Sequence, residues 1–110
     1  MIDQTIRLAP CRLEDIGAVL ELWDLAHIIP LAGDSVGALK LRLERDADLF
    51  LLAWSGDTLV GTLMGGWDGW RGGMYRLATH PDFRRRGIAR MLVQAVEKAL
   101  QTRAQLASPA

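Results

Sequence analysis

The chain has 110 residues, 50% of them hydrophobic, with 13 basic and 13 acidic side chains and a formal charge of zero. That length fits one globular domain over residues 1–110, and the balanced charge argues against a general nucleic-acid binder, which needs a basic face. The lone Cys11 excludes an internal disulfide, and His27 and His80 stand too far apart in sequence to start a zinc cluster, so no metal is expected.

The opening Met1-Ile2-Asp3-Gln4-Thr5 lacks a basic-then-apolar leader pattern, and the longest apolar run, Leu49 to Trp54, is too short to span a bilayer, which makes the cytoplasm the expected compartment. Thr5 to Leu8 alternates as a short strand that Pro10 stops, and Glu14 and Asp15 put acid in the first turn of a helix running toward His27. Its apolar positions Ile16, Val19, Leu20 and Trp23 follow the i, i+3, i+4, i+7 spacing of a face packed on a sheet. After Pro30 and Gly33, Asp34 or Ser35 can cap a shorter helix with the stripe Val36, Leu39, Leu43. Leu49 to Trp54 and Thr58 to Met64 read as two strands joined by a tight turn at Ser55-Gly56-Asp57. Gly65 to Gly73 is too rich in glycine for a paired strand and is expected to form a mobile loop. Met74 to Thr79 resumes as a fourth strand, whose Tyr75 is expected to pack in the core. From Gly87 the stripe Ile88, Met91, Leu92, Ala95, Val96, Ala99, Leu100 specifies a long helix, with Thr102 to Ala110 fraying beyond it.

Between the fourth strand and that last helix lies His80-Pro81-Asp82-Phe83-Arg84-Arg85-Arg86-Gly87-Ile88-Ala89-Arg90. Its cationic residues have the wrong sign for a helix start. A helix N-terminus carries about half a positive elementary charge, and each added cation costs roughly 0.3–1 kcal/mol unless an anion lies beside it. Free first-turn amides, a glycine that lets the main chain approach a ligand, and flanking guanidinium forks together make a phosphate or pyrophosphate site. A solvated basic turn is the plainer alternative. His80, before a proline at a strand end, reads as turn-stabilising rather than as a base. Trp67, Asp68 and Trp70 either line an acceptor pocket, with Asp68 attracting a cationic amine, or cover the core. Trp23 continues the buried stripe of the first helix, one turn before His27.

The element order β-α-α-β-β-β-α, with Arg84-x-x-Gly87-x-Ala89 opening the last helix, resembles the GNAT superfamily of acyl-CoA N-acyltransferases, whose signature is Gln/Arg-x-x-Gly-x-Gly/Ala. Ile6-Arg7, Val60-Gly61-Thr62 and Leu77 to Phe83 extend the likeness over nearly the whole chain, and Gly61 to Gly69 followed by Arg71-Gly72 is similar to a small bacterial group near the RimI and YpeA acetyltransferases. The resemblance implies an α/β fold, of the α+β type with a mixed sheet, and acetyl-CoA as cosubstrate. By position, Leu77, Ala78 and Thr79 become the strand that pairs with the pantetheine arm. Arg85, Arg86, Gly87, Ile88, Ala89 and Arg90 become the pyrophosphate cradle, with Arg84 heading the signature.

Members of the family continue past this helix into a further β-α-β-β segment, which completes the acyl-CoA cleft and often carries a tyrosine proposed to protonate the leaving thiolate. The chain stops before it, as expected of a fragment, a shortened polypeptide, or a half-fold that completes its sheet with a second copy through a strand edge. The fourth strand also holds no glutamate of the kind many relatives use to deprotonate the amine, so no catalytic residue is assigned. The expected activity is acetyl transfer to an amine, of a small molecule or a protein N-terminus, by direct attack. The alternative is a non-catalytic CoA-binding or assembly module.

Overall fold

The computed structural model describes residues 5–107. Four strands, β1 (Ile6–Pro10), β2 (Phe50–Ser55), β3 (Thr58–Trp67) and β4 (Gly72–Thr79), form one sheet in the order β1-β2-β3-β4. Every pairing is antiparallel, so a parallel pair that would make the sheet mixed is not among the described residues. Helices α1 (Ile16–Leu25) and α2 (Val36–Asp46) cover one face, and α3 (Ile88–Ala107) covers the other. The element order is the expected one. Pro10 closes β1 from inside the strand, and Ser35 caps α2, its Oγ accepting from the Ala38 N–H at 3.1 Å. No described helix is long and apolar enough to cross a membrane, and no described group of three His, Cys, Asp or Glu side chains is placed to hold a metal ion.

The two faces of β2 and β3 feed two apolar cores. Val19, Leu22, Trp23, Leu39, Phe50, Leu52 and Met64 pack under α1 and α2, with the Trp23 and Phe50 rings stacked at 6.5 Å. Ala53, Val60, Leu63, Ile88, Leu92 and Val96 pack under α3, using the apolar stripe read in its sequence. Leu20 is only partly buried and Leu22 takes its expected place in the core, while Val36 stays exposed at the start of α2.

Two expectations are corrected. The glycine-rich stretch is no loop: Gly65, Gly66 and Trp67 pair with Met74, Gly73 and Gly72, leaving only Asp68 to Arg71 as the connection. The glycines serve helix packing, because a Cβ on Gly65 would lie 2.9 Å from Val96 Cγ1 and one on Gly72 3.0 Å from Leu100 Cδ1. Nor does the last helix fray at Thr102. It continues to Ala107 because Arg103 reaches Asp46 at 2.9 Å and Asp48 at 2.7 Å, fastening the final turns to the α2–β2 connection; residues 108–110 of the expected frayed tail lie outside the described residues.

Candidate functional site

The site is organised by an irregularity in β4. Thr62 pairs with Ala78 and Met64 with Tyr75, so the single residue Leu63 stands opposite both Arg76 and Leu77. Arg76 is the extra residue, held at φ 60°, a left-handed conformation that costs a non-glycine residue about 1–2 kcal/mol. Its surroundings hold it there. The Arg76 carbonyl accepts from the Thr62 hydroxyl at 3.0 Å, and that hydroxyl oxygen accepts from the Trp23 indole N–H at 2.8 Å. The Arg76 guanidinium grips Asp34 with two bonds of 3.0 and 2.7 Å and lies over the Trp23 ring at 5.7 Å. Backbone and side chain of the bulge are thus tied to α1, β3 and the connection that leads into α2 at once.

Beyond the bulge, Leu77 is exposed, Ala78 is buried and Thr79 lies between. The outer edge of β4 pairs with no other strand among the described residues. The His80 N–H still bonds the Val60 carbonyl at 2.8 Å. Its imidazole Nδ1 accepts from the Asp82 N–H at 3.1 Å, the turn-stabilising role read from its place before Pro81.

Two left-handed residues, Arg85 (φ 65°) and Gly87 (φ 80°), then curl the chain into α3. The helical ladder opens with the Met91 N–H bonding the Gly87 carbonyl at 3.0 Å, so the amides of Ile88, Ala89 and Arg90 precede it and have no helical acceptor. A Cβ at Gly87 would meet nothing within 4 Å, which leaves the turn open to a ligand. Among the described residues, Arg84, Arg85, Arg86 and Arg90 form no ion pair with a carboxylate. Arg86 instead rests over the Phe83 ring at 4.9 Å. Among the described residues, then, no carboxylate neutralises the positive pole, and Gly87 leaves it open.

A groove of about 440 Å³ joins these parts, lined by Leu77, Ala78 and Thr79 on β4, by Arg84, Arg85, Gly87, Ile88 and Ala89, and by Phe83, Ala26 and Ile28. The site residues read from the sequence thus come together, Arg86 and Arg90 flanking the groove in sequence without lining it. A second cavity, of about 530 Å³, begins at Arg76 and runs along β4 past Tyr75 to Trp67 and Asp68. Tyr75 is 56% exposed and lines this cavity, contrary to the expected core position, because the bulge begins at the next residue and β4 is an edge strand there. Trp70 is 79% exposed and outside the cavity.

Sequence reasoning missed the lock of Trp23, Asp34, Thr62 and Arg76. Its only local trace is an arginine inside an otherwise apolar strand segment. Cys11 plays no part in either cavity: burial, and then the Asp15 carboxylate, push its thiol up to about 12, so it stays protonated and is no nucleophile at neutral pH.

Comparison with known proteins agrees with this architecture. An acetyltransferase of Pectobacterium atrosepticum is 42% identical over 92 residues, 84% of this chain and 65% of its own length. The chain thus spans less than two thirds of that relative's length. Two solved structures show the fold: the PaiA N-acetyltransferase of Thermoplasma acidophilum in complex with coenzyme A, and the ribosomal-protein-S18-alanine N-acetyltransferase of Escherichia coli. The first has a TM-score of 0.71 and 21% identity, covering 90% of this chain and 74% of its own; the second has 0.72 and 15%, covering 90% and 61%. The profile of the acetyltransferase (GNAT) family matches residues 17–108, and with this fold and the Arg84-x-x-Gly87-x-Ala89 start of α3 in agreement, the chain belongs to that family.

Proposed function

We propose that the chain holds acetyl-CoA along β4 and the start of α3 and takes part in transferring its acetyl group to an amine. The observation that carries this reading is the guanidinium-flanked helix start, paired with no carboxylate among the described residues and continuous with a groove beside a strand edge that none of them covers. These parts fit the group. A diphosphate matches the arginines and the first-turn amides, and an extended amide arm matches an unpaired strand edge, as in peptide strand addition. Arg84, Arg85, Arg86 and Arg90, with the amides of Gly87, Ile88 and Ala89, would hold the pyrophosphate, and Leu77, Ala78 and Thr79 the pantetheine arm. The group itself supplies an activated thioester.

The work left to the chain is positioning and exclusion of water. Holding two reactants in register can contribute roughly 7–11 kcal/mol to lowering the barrier, so transfer by direct attack needs no protein nucleophile. In this reading residues 1–110 are the coenzyme-holding part of one acetyltransferase domain. A second reading, a CoA-binding or assembly module that pairs β4 with another copy, is favoured by the unpaired outer edge of that strand.

Incubation with acetyl-CoA and a panel of amines, followed by mass spectrometry, separates the two. Acetylated product that accumulates in proportion to protein is the expected result. Coenzyme binding without product, together with dimers in light scattering, would favour the module, and no coenzyme binding would reject both readings in which the chain holds coenzyme A.

A further inference from the structure

The cavity on the other side of the bulge has a charge pattern that the coenzyme does not use. Resting on the coenzyme reading above, we propose that it takes a small, elongated amine whose far end carries a carboxylate or a phosphate. The cavity begins at Arg76 and the coenzyme groove begins at the next residue, Leu77, so the two meet at the bulge. Its volume of about 530 Å³ lies within the roughly 300–1,000 Å³ range of small-molecule sites.

Its lining includes four arginines, Arg42, Arg45, Arg71 and Arg76, and two aspartates, Asp34 and Asp68. Two of the cations are bonded to acceptors of the chain, and a third, that of Arg71, rests over the exposed Trp70 ring at 5.4 Å. Arg76 is bidentate to Asp34, and Arg42 donates to the Gly65 carbonyl at 2.7 Å and faces Asp46 at 3.5 Å. Asp68 spends one oxygen on the N–H groups of Arg71 and Trp70, both at 2.8 Å. Those bonds, with the Arg71 charge nearby, hold its carboxyl below the usual range. Arg45 on α2 and Arg71 on the β3–β4 connection form no ion pair within 4 Å among the described residues. They approach the cavity from two different elements, and a guanidinium pair of this kind suits a bidentate oxyanion.

The spacing sets the shape of the ligand. Residues 72–75 separate Arg71 from the bulge by roughly 13 Å of extended strand, an upper bound that the reach of the arginine side chains shortens toward the span of a six-carbon amine. An anion held by Arg71 and Arg45 therefore leaves the amine of an elongated molecule directed back toward Arg76 and Leu77, where the coenzyme groove opens.

Three probes of one chain length test this: hexylamine, 6-aminohexanoate and 6-aminohexyl phosphate. Binding is read without coenzyme from tryptophan fluorescence, since Trp67 lines the cavity, and acetyl transfer is read separately with acetyl-CoA. The expected result is that at least one anionic probe binds about tenfold or more tightly than hexylamine, a difference of about 1.4 kcal/mol. The Arg45→Ala/Arg71→Ala double variant, with an unchanged melting temperature, should abolish that preference and raise KM for the anionic probe more than it lowers kcat. Preference for the carboxylate over the phosphate, or the reverse, identifies which oxyanion the site takes. Equal binding of hexylamine, or a preference that survives the double variant, overturns the proposal. Failure of the parent chain to bind coenzyme A overturns instead the reading on which it rests, and with it the cavity's role as an acceptor site.

Discussion

Replacing Thr62 by valine, which puts a methyl where the hydroxyl was at nearly constant volume, is expected to lower stability by about 2–4 kcal/mol, because the buried Trp23 indole loses its partner at about 1–3 kcal/mol and the part-buried Arg76 carbonyl loses a smaller share. The Thr62 side chain is fully buried and joins the Trp23 indole to the Arg76 carbonyl. Valine leaves an orphan donor on α1 and an orphan acceptor at the bulge. Since the left-handed Arg76 persists only while its neighbours hold it, acetyl transfer should fall as well. Thr62→Ser keeps the hydroxyl and should retain both bonds, losing only the packing of a methyl. Urea unfolding of the two variants checks the prediction, and a valine variant as stable as the serine variant would remove the lock from the account.

Leu92→Ala is expected to cost about 2–5 kcal/mol, the range for emptying a leucine site in a packed core, out of the total of about 5–15 kcal/mol available to a typical domain. Leu92 is fully buried against β3, where α3 crosses so closely that a Cβ on Gly61 would lie 2.8 Å from Ile88 Cγ2 and 2.9 Å from Leu92 Cδ1. Gly61→Ala alone should therefore cost about 1–3 kcal/mol by overpacking. In the double variant the shortened residue 92 removes one of those two clashes. The combined loss should fall short of the sum by more than about 0.5 kcal/mol, the limit within which independent sites add. Additive losses would mean that α3 shifts bodily when Gly61 gains a side chain.

What could be read along the chain was the part of the structure made by near neighbours. The β2–β3 hairpin needed only its two apolar runs and the turn at Ser55-Gly56-Asp57, and the α3 stripe needed only its period. The arginine cluster was legible because its charge conflicts with the helix it opens. The misreadings were long-range effects. Gly65, Gly66, Gly72 and Gly73 looked like loop residues, and the packing of Val96 and Leu100 against two of them lies more than 25 positions away in sequence. The last turns of α3 looked free because their partners, Asp46 and Asp48, stand 57 and 55 residues from Arg103. The bulge was the least legible feature, since a positive φ at Arg76 follows from Thr62, Trp23 and Asp34 together and leaves no local trace beyond an arginine in an apolar segment.

The central claim is that the positive pole at the start of α3 is built for a diphosphate. The most direct measurement is calorimetric titration of coenzyme A into the parent chain and into the Arg84→Ala/Arg85→Ala/Arg86→Ala variant. The account predicts that the parent binds and that the variant binds about a hundredfold more weakly or worse, since charge-assisted hydrogen bonds contribute about 1.5–3 kcal/mol each. It also predicts that the ligand-free variant melts no lower than the parent, because cations at a helix N-terminus are unfavourable without their anion. Equal affinity of the two proteins, or a ligand-free variant that melts well below the parent, would contradict it.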